Sequence, residues 1–420
     1  MKDSNLILRS SPSMEGLDSN AVLNFLEEAA KSGIELHSLI IVKNGKIVTE
    51  GWWYPSEANI RHGCYSVTKT FTAIAIGFTV EEGLISVLDK LADIFPEKLP
   101  KNPSENLLSM TIHDLLCMSG GQDYEANILN STDWVESFMD VEVVNKPGTI
   151  FKYNSIGSHM LAEVIFKITG QTLLEYLSAR LFIPIGIYDV RWDKTPSGNQ
   201  IGGWGIHLKT EDLARIGMLF LQNGKWNNKQ IISETWINKA KTKQIDTFES
   251  INGHDWMLGY CYQMWCSTPK DSYRLDGAFG QFSIVLPEQN VVIALTEMST
   301  DPQETLNLIW KHIVSGMSLN ILNNDVSDKK LSKVLSELSI QDNKKDVHSF
   351  MESIISRKTY TFEENECSLV PAFQRYMALE SNIGLKSVYI VFDKDYCLFT
   401  WIEVNRKSTI EIGLDGYYRK

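Results

Sequence analysis

Two strand-turn-strand patterns lie far apart in the chain and enclose a long stretch that reads mainly as helix. In the first, Asn44-Gly45 joins two apolar runs within 36–53, and both turn residues tolerate the positive φ of a type I′ turn. In the second, residues 281–286 and 291–296 flank a short polar turn. Strands at both ends with helices between them predict an α/β (α+β) domain: an antiparallel sheet flanked by helices, with an inserted helical subdomain.

The length and a change in composition indicate more than one domain. A chain of 420 residues exceeds what a single hydrophobic core usually supports. A polar run begins after Leu322. Near the end of the chain, residues 358–362, 387–392, 397–403 and 408–412 read as alternating strands. We therefore expect a main domain over 1–322, a linker or helical connection over 323–344, and a small β-rich accessory domain over 345–420.

Charge and apolar patterning exclude several classes of partner. The formal charge is −12 and no basic tract occurs, which disfavours nucleic acid and anionic membrane surfaces. The apolar run at 6–8 is shorter than a secretory signal requires, and no segment is long enough to span a bilayer. The cysteines show no paired spacing, which favours reduced thiols. The sequence thus predicts a cytoplasmic protein that binds neither nucleic acid nor membranes.

Motifs for metals and cofactors are missing from the sequence. The eight histidines show neither HxH nor HxxxH spacing, which disfavours a zinc hydrolase. Neither a Walker motif nor a dinucleotide-binding fingerprint occurs. A Gly-x-Ser-x-Gly elbow is also missing, which argues against an α/β-hydrolase. We therefore expect chemistry that uses no metal and no cofactor.

The segment from Ser66 to Lys69 is a Ser-x-x-Lys motif. Two further matches, beginning at Ser267 and Ser327, show that the tetrapeptide alone is weak. Ser66 differs in opening a helix with a buried apolar stripe, so that Ser66 and Lys69 lie on one face as neighbours. A desolvated lysine there can take the serine proton, and the serine N–H can hold an oxyanion. The alternative is a capping serine beside a lysine that extends to solvent.

Two later segments complete a candidate constellation. Tyr153-Asn154-Ser155 begins a helix, and a phenol near an ammonium shifts toward the phenolate, which can act as a base. Gly277-Ala278 precedes a strand, where glycine lets the backbone approach a substrate and supply a second oxyanion donor. The alternatives are a packed tyrosine and an ordinary glycine-rich turn.

In this order the three elements resemble the Ser-x-x-Lys, Tyr-x-Asn and Lys-Thr-Gly motifs of class C β-lactamases and penicillin-binding proteins. Two connecting stretches also resemble family segments that line or flank the cleft: residues 111–121 and 202–215. The chain departs from the pattern with Ser155 in place of asparagine. It also has Leu275, with the acidic Asp276 beside it, in place of the lysine that helps to hold a substrate carboxylate in penicillin-recognising enzymes. Arg274 is a candidate substitute, unless strand alternation points it away. The Tyr-x-Ser form is more similar to the esterase and aminohexanoate-oligomer hydrolase branch.

The resemblance implies a β-lactamase/transpeptidase-like fold and a serine hydrolase that forms a Ser66 acyl-enzyme. The implied substrate is a small ester, amide or peptide; a β-lactamase, a D,D-peptidase and a slowly acylating sensor are the alternatives. Lys69 and Tyr153 would share the proton transfers, and Tyr153 would activate the water that attacks the acyl-enzyme in the second step. Ser155 would relay hydrogen bonds to Lys69 or to the substrate. Further residues would contact the oxyanion or the substrate: Gly277, Ala278, Gln122 and Tyr124.

Overall fold

The computed structural model describes two compact units. The described residues are 5–129, 131–248, 253–340, 349–363, 365, 367–369, 384–404 and 406–414. The larger unit comprises three stretches: Met1–Trp52, Ser56–Ala126 and Thr132–Leu338. The smaller unit comprises three others: Trp53–Pro55, Asn127–Ser131 and Ser339–Lys420.

Helices and strands alternate along the chain as follows. The α-helices are α1 (Ser19–Lys31), α2 (Thr68–Glu81), α3 (Leu91–Ile94), α4 (Glu105–Ser109), α5 (Ile112–Leu116), α6 (Trp134–Met139), α7 (Ser155–Thr169), α8 (Leu173–Leu177), α9 (Thr210–Leu221), α10 (Glu234–Lys241), α11 (Pro302–Leu308), α12 (Asp325–Ser336) and α13 (Met351–Ile355). The strands are β1 (Glu35–Lys43), β2 (Lys46–Trp52), β3 (His62–Gly63), β4 (Arg191–Trp192), β5 (Ile206–Leu208), β6 (Lys225–Trp226), β7 (Lys229–Gln230), β8 (Trp265–Cys266), β9 (Tyr273–Gly277), β10 (Gln281–Leu286), β11 (Val291–Met298), β12 (Lys358–Thr361), β13 (Leu385–Phe392), β14 (Tyr396–Glu403) and β15 (Arg406–Gly413). Shorter 3-10 turns lie at Ser13–Glu15, Tyr65–Val67, Pro96–Lys98 and His254–Trp256, and π-helical turns at Ser178–Phe182 and Ile309–Val314.

The core of the larger unit is an antiparallel sheet of order β2-β1-β11-β10-β9-β8. Asn44 and Gly45 both have positive φ and form the expected tight turn between β1 and β2. Although β1 and β11 are far apart in sequence, they pair directly, with Leu39 opposite Leu295. Helix α9 packs on β1, β10 and β11, which explains why these strands are buried along most of their length.

The helical part of the larger unit is organised around α2. Every residue from Thr68 to Thr79 is buried, so this helix is enclosed on all sides and not along one stripe as expected. It packs against α7 and α8, and α7 packs in turn against α5 and α6. Buried packing on all sides fixes the position of the N-terminal end of α2, where the Ser-x-x-Lys motif lies.

The predicted fold class is confirmed, including the inserted helices and the small β-rich C-terminal part. In the smaller unit, an antiparallel sheet of order β12-β13-β14-β15 follows the expected strand segments within two residues. The segment expected as a linker contains α12, which contacts α1 and β2 and belongs to the larger unit. Residues 341–348 of that segment lie outside the described residues.

Two further sequence expectations concern thiols and membranes. All six cysteines are free in the structure. Within the part of the chain that the structure describes, no helix combines the length and the apolar character needed to cross a bilayer.

Candidate active site

The Ser-x-x-Lys motif spans a 3-10 turn and the first turn of α2. Ser66 lies in the turn Tyr65–Val67, just before α2 begins at Thr68. Tyr65 holds a positive φ of 45°, a strained backbone conformation for a non-glycine residue. The hydroxyl of Thr68 donates to the carbonyl of Tyr65 at 2.6 Å and accepts from the N–H of Ile206 at 3.1 Å, which stabilises this turn. Ser66, the candidate nucleophile, therefore lies next to a strained residue in a turn that the hydrogen bonds of Thr68 hold in place.

Lys69 is the most constrained charged group of the site. Its Nζ lies 3.0 Å from Ser66 Oγ, 3.3 Å from Ser155 Oγ and 2.7 Å from the carbonyl oxygen of Gly203. The side chain is 1% exposed. Burial lowers the pKa of Lys69 to about 7, although the carboxylates of Glu125 and Asp276 raise it in part. An amine with this pKa is neutral in a large fraction of molecules at neutral pH, so it can accept a proton.

Tyr153 lies beside this pair. Its ring centroid is 4.7 Å from Lys69 Nζ, and its hydroxyl hydrogen-bonds to Ser66. The ring stacks on Trp265 with centroids 5.9 Å apart and meets Tyr260 edge-on at 6.4 Å. These contacts hold the phenol against the serine hydroxyl. Ser66, Lys69 and Tyr153 thus come together, although they are separated in sequence.

The expected phenolate character of Tyr153 is wrong. Burial raises the pKa of Tyr153 far above that of a free phenol, and the hydrogen bond with Ser66 offsets only part of this effect. The carboxylates of Asp276 and Glu125 raise the pKa further, because a second negative charge nearby is unfavourable. Tyr153 is therefore protonated in the free protein, and Lys69 is the group that can accept the serine proton.

Ser155 and Glu125 connect the Tyr-x-Ser motif to Lys69. Ser155 is the first residue of α7, and its hydroxyl faces Lys69. Its backbone N–H donates to the Glu125 carboxylate. Asn154 caps the same helix by accepting from the N–H of Gly157 at 2.7 Å. This end of α7 is thus fixed by one carboxylate and one amide.

The side chain of Gln122 contacts the N-terminal end of α7 and does not point into solvent. Its side chain is buried, with Nε2 donating to the carbonyl of Phe138 at 3.0 Å and Oε1 accepting from Asn154 at 3.0 Å. Both ends of the amide are thus hydrogen-bonded within the protein. The expected contact of Gln122 with a substrate is therefore corrected: Gln122 positions the start of α7. Tyr124 is 60% exposed, and the structure places no contact between it and Lys69 or Ser66 in the described residues.

The glycine-rich segment after β4 supplies the carbonyl on which Lys69 rests. A Cβ atom at Gly203 would lie 2.3 Å from the carbonyl oxygen of Ser155, so only glycine allows this approach. Trp204 is buried and its ring lies against Trp134, at a centroid distance of 5.8 Å. This segment therefore packs tightly along one side of the site, and it places the Gly203 carbonyl oxygen next to Lys69 Nζ.

The third motif approaches the nucleophile from β9. A Cβ atom at Gly277 would lie 2.3 Å from the carbonyl oxygen of Cys64, which shows how closely the two backbones meet. Phe279 has a positive φ of 67°, and its ring contacts that of Tyr65 edge-on at 5.4 Å. Two residues that precede Ser66 thus lie against the residues on either side of Ala278, and the two backbone segments face each other.

Leu275, which stands in place of the family lysine, and its neighbours Arg274 and Asp276 lie on opposite faces of β9. Leu275 is fully buried and shares its face of β9 with Tyr273. Arg274 and Asp276 lie on the other face, where Arg274 Nε donates to Asp276 Oδ2 at 2.9 Å. Arg274 is itself fully buried, so its guanidinium does not take the place of the missing lysine.

Several residues of the site were not singled out from the sequence. They are Glu125, the carbonyl of Gly203, and the aromatic residues Tyr260 and Trp265. Glu125 directly follows Gln122-Asp123-Tyr124, so its position in the loop was available as a signal. The carbonyl and the rings carry no motif, because their contribution depends on which segments pack together.

A family model and several known proteins match this chain. The Beta-lactamase family model matches residues 24–314, which is more than half of the chain. The chain belongs to the β-lactamase family. A related hydrolase, the 6-aminohexanoate-dimer hydrolase of Paenarthrobacter ureafaciens, is 21% identical over 318 residues, covering 68% of this chain and 77% of that protein.

Solved structures of other family members have the same fold. An octameric penicillin-binding protein homologue from Pyrococcus abyssi aligns with a TM-score of 0.59 at 19% identity, over 93% of this chain and 89% of that one. A family VIII carboxylesterase aligns with a TM-score of 0.56 at 16% identity, over 78% of this chain and 98% of that one. At these identities the likeness shows the β-lactamase fold alone.

Proposed function

We propose that this β-lactamase-family hydrolase is an esterase or amidase that works through an acyl-enzyme on Ser66. The observation that carries the proposal is the contact of Lys69 with Ser66, 3.0 Å between Nζ and Oγ, together with the lowered pKa of that lysine. A serine hydroxyl needs a nearby base to become a nucleophile, and a neutral amine at this distance is such a base.

Acylation would begin with proton transfer from Ser66 to Lys69. In neutral Lys69, two N–H groups can donate to the Gly203 carbonyl and the Ser155 hydroxyl, which leaves the nitrogen lone pair directed at Ser66. Attack on the carbonyl carbon then forms a tetrahedral oxyanion. We assign the stabilising donors to the backbone N–H groups of Ser66 and Ala278, since their segments face each other.

Tyr153 would complete both half-reactions as a proton donor and relay. Its protonated hydroxyl lies at Ser66, where the leaving group departs, so it can protonate that oxygen or nitrogen. Lys69 restores the phenol proton and, in its neutral form, activates the water that hydrolyses the acyl-enzyme. Ser155 holds the amine in place during both transfers.

The charge at the third motif favours an esterase or amidase over a β-lactamase or D,D-peptidase. Penicillin-type substrates carry a carboxylate, and the family lysine that helps to hold it is replaced here by the buried Leu275, with the acidic Asp276 next to it. A second carboxylate, Glu125, also acts on the site. An anionic substrate group would meet repulsion at this position.

A substrate panel read by intact mass tests the proposed function. The protein is mixed with simple esters, amides, nitrocefin and a fluorescent penicillin, and both product release and mass added to Ser66 are followed. We expect rapid release of products from p-nitrophenyl esters and much slower turnover of nitrocefin. A stable adduct without product release would support a sensor, and faster turnover of nitrocefin than of esters would support a β-lactamase.

Replacing Tyr153 with phenylalanine is expected to lower kcat for a p-nitrophenyl ester by about a hundredfold, the range of a lost general acid or base. The ring contacts with Trp265 and Tyr260 remain, so the loss reports on the hydroxyl. Tyr396→Phe, in β14, removes a phenolic hydroxyl elsewhere in the chain and serves as the matched control. A Tyr153→Phe enzyme with full activity would remove the phenol from the mechanism.

The pH dependence of kcat/KM is expected to follow Lys69. Because its neutral form accepts the proton, activity should rise as the pH rises through about 7, where the lysine loses its proton. The measurement is the initial rate at low ester concentration between about pH 5.5 and 8.5, corrected for spontaneous hydrolysis. A rate that falls over this range would show that the protonated lysine is the active form.

A further inference from the structure

Arg274 and Asp276 form an ion pair on the face of β9 opposite to Leu275. Arg274 is fully buried, whereas the side chain of Asp276 keeps 11% of its surface exposed. The pair therefore has an inner cation and an outer carboxylate. Asp276 lies two residues before Ala278, the residue that we assign to the oxyanion.

The guanidinium of Arg274 is fixed and cannot reach a substrate. Nη1 donates to the carbonyl of Cys266 at 2.7 Å, to that of Asp255 at 3.2 Å, and to Ser267 Oγ at 3.2 Å. The charged carbon also lies 4.5 Å from the ring centroid of Trp256. With Nε on Asp276, this arginine serves to hold the carboxylate in one orientation.

The Asp276 carboxylate retains capacity for another partner. It accepts hydrogen bonds from Arg274 and Trp256, and a carboxylate offers about four acceptor positions. It is also close enough to the reacting groups to raise the pKa of both Lys69 and Tyr153. An acceptor with this charge and position is suited to a cationic donor on the substrate.

The charges around the pair agree with this assignment. Asp255 adds a negative charge beside Asp276, and Glu125 acts on Lys69 from the side of α7. These three carboxylates outnumber the one permanent cation among them, Arg274. Charges of one sign that are partly removed from water attract an opposite charge more strongly than charges on an open surface do.

We propose that Asp276, held by Arg274, is a specificity-determining residue that receives a positively charged ammonium group of the ester or amide substrate. The proposal rests on the proposed function and narrows its substrate class to cationic esters and amides. Substrates with a carboxylate at the same place are disfavoured, because the lysine of penicillin-recognising relatives is replaced by the neutral Leu275 and the neighbouring Asp276 is an anion.

A charge series of substrates tests the proposal. The acyl series consists of p-nitrophenyl esters of a trans-cyclohexane acid that ends in an aminomethyl, an ethyl or a carboxymethyl group; the rigid ring prevents cyclisation. Acetylthiocholine and its uncharged dimethylbutyl analogue probe the other side of the scissile bond. For the native protein we expect kcat/KM to be highest for a cationic ester and lowest for the carboxylate.

Asp276→Asn is expected to lower the ratio of kcat/KM for cationic over neutral ester by at least about tenfold, and to raise the ratio for carboxylate over neutral ester. Using the ratio cancels any change in Lys69 that affects all substrates alike. Glu288→Gln is the matched control, since it removes one acidic group from the exposed turn between β10 and β11 and should leave the ratios unchanged. Equal ratios in the native protein and Asp276→Asn, in both series, overturn the proposal.

Two further measurements keep the test decisive if Asp276→Asn fails to fold or if none of the esters is hydrolysed. Asp276→Asn leaves Arg274 buried without a counter-charge, so the double variant Arg274→Gln/Asp276→Asn, which replaces the ion pair by amides, is measured as well and should lose the same selectivity. Calorimetric binding of the matching methylamides to Ser66→Ala requires no turnover. If no ester is hydrolysed but the ammonium amide binds in an Asp276-dependent manner, the proposed function fails and the assignment of Asp276 stands. If esters are hydrolysed without selection for charge, the proposed function stands and the assignment of Asp276 fails.

Discussion

Ser66→Ala is expected to abolish ester turnover, lowering kcat by at least about four orders of magnitude, while the protein remains folded. The reason is that Ser66 Oγ is the atom in contact with Lys69 Nζ and hydrogen-bonded to Tyr153. Alanine removes the nucleophile without adding volume to the turn Tyr65–Val67. The measurements are p-nitrophenol release, labelling by a fluorophosphonate, and the thermal midpoint of unfolding.

Ser327→Ala is the matched control for this experiment. Ser327 begins another Ser-x-x-Lys match, lies in α12, and is buried, but its hydroxyl bonds to the carbonyl of Asn324. We expect full activity and normal fluorophosphonate labelling from this variant. Residual turnover in Ser66→Ala near the native rate, or a label that persists on that variant, would place the nucleophile elsewhere.

The convergence of Ser66 with Lys69 was predictable because helical spacing alone places residues three apart on one face. Tyr153 was reached through motif order, which in this family reflects a shared fold. The distances that make the group reactive were not predictable. The 2.7 Å contact with the Gly203 carbonyl arises because the glycine-rich segment around Gly203 packs closely on the start of α7, and such backbone packing leaves no side-chain pattern in the sequence.

The protonation state of Tyr153 shows the limit of local reasoning. From the sequence, a nearby ammonium suggested a phenolate. In the structure, the rings of Tyr260 and Trp265 enclose the phenol, and Asp276 and Glu125 add negative charge. Desolvation and like charge both raise the pKa of Tyr153 and outweigh the hydrogen bond with Ser66. Both effects depend on segments distant in sequence, so the motif alone gave the wrong sign.

The domain boundary illustrates the same point on a larger scale. A polar composition after Leu322 indicated a linker or a helical connection; the structure has α12 there, which carries Leu331, 1% exposed, and packs against α1 and β2. A short amphipathic helix with few apolar residues resembles a linker in composition. Only its tertiary contacts assign it to the larger unit. The strands of the two predicted hairpins and of the C-terminal part, whose alternation is a local property, were placed within two residues, whereas the short strands β3 to β8 were not predicted.

Replacing Lys69 with methionine is expected to lower kcat for a p-nitrophenyl ester by about three orders of magnitude, the upper part of the range for a lost general base. Methionine fills the buried volume but has no group to accept the Ser66 proton. A comparison with Lys69→Arg separates the two possible contributions of this residue. Arginine keeps the positive charge, but its pKa is too high for it to act as a base.

If proton acceptance is what Lys69 supplies, both variants should lose activity to a similar extent, and the rise of the rate through about pH 7 should vanish in both. If the positive charge is what matters, Lys69→Arg should keep most of the activity that Lys69→Met loses. Lys330→Met, at the equivalent position of the motif in α12, controls for loss of a lysine. A pH profile that survives in Lys69→Met would assign the ionisation near 7 to a different group and remove the lysine from the role of base.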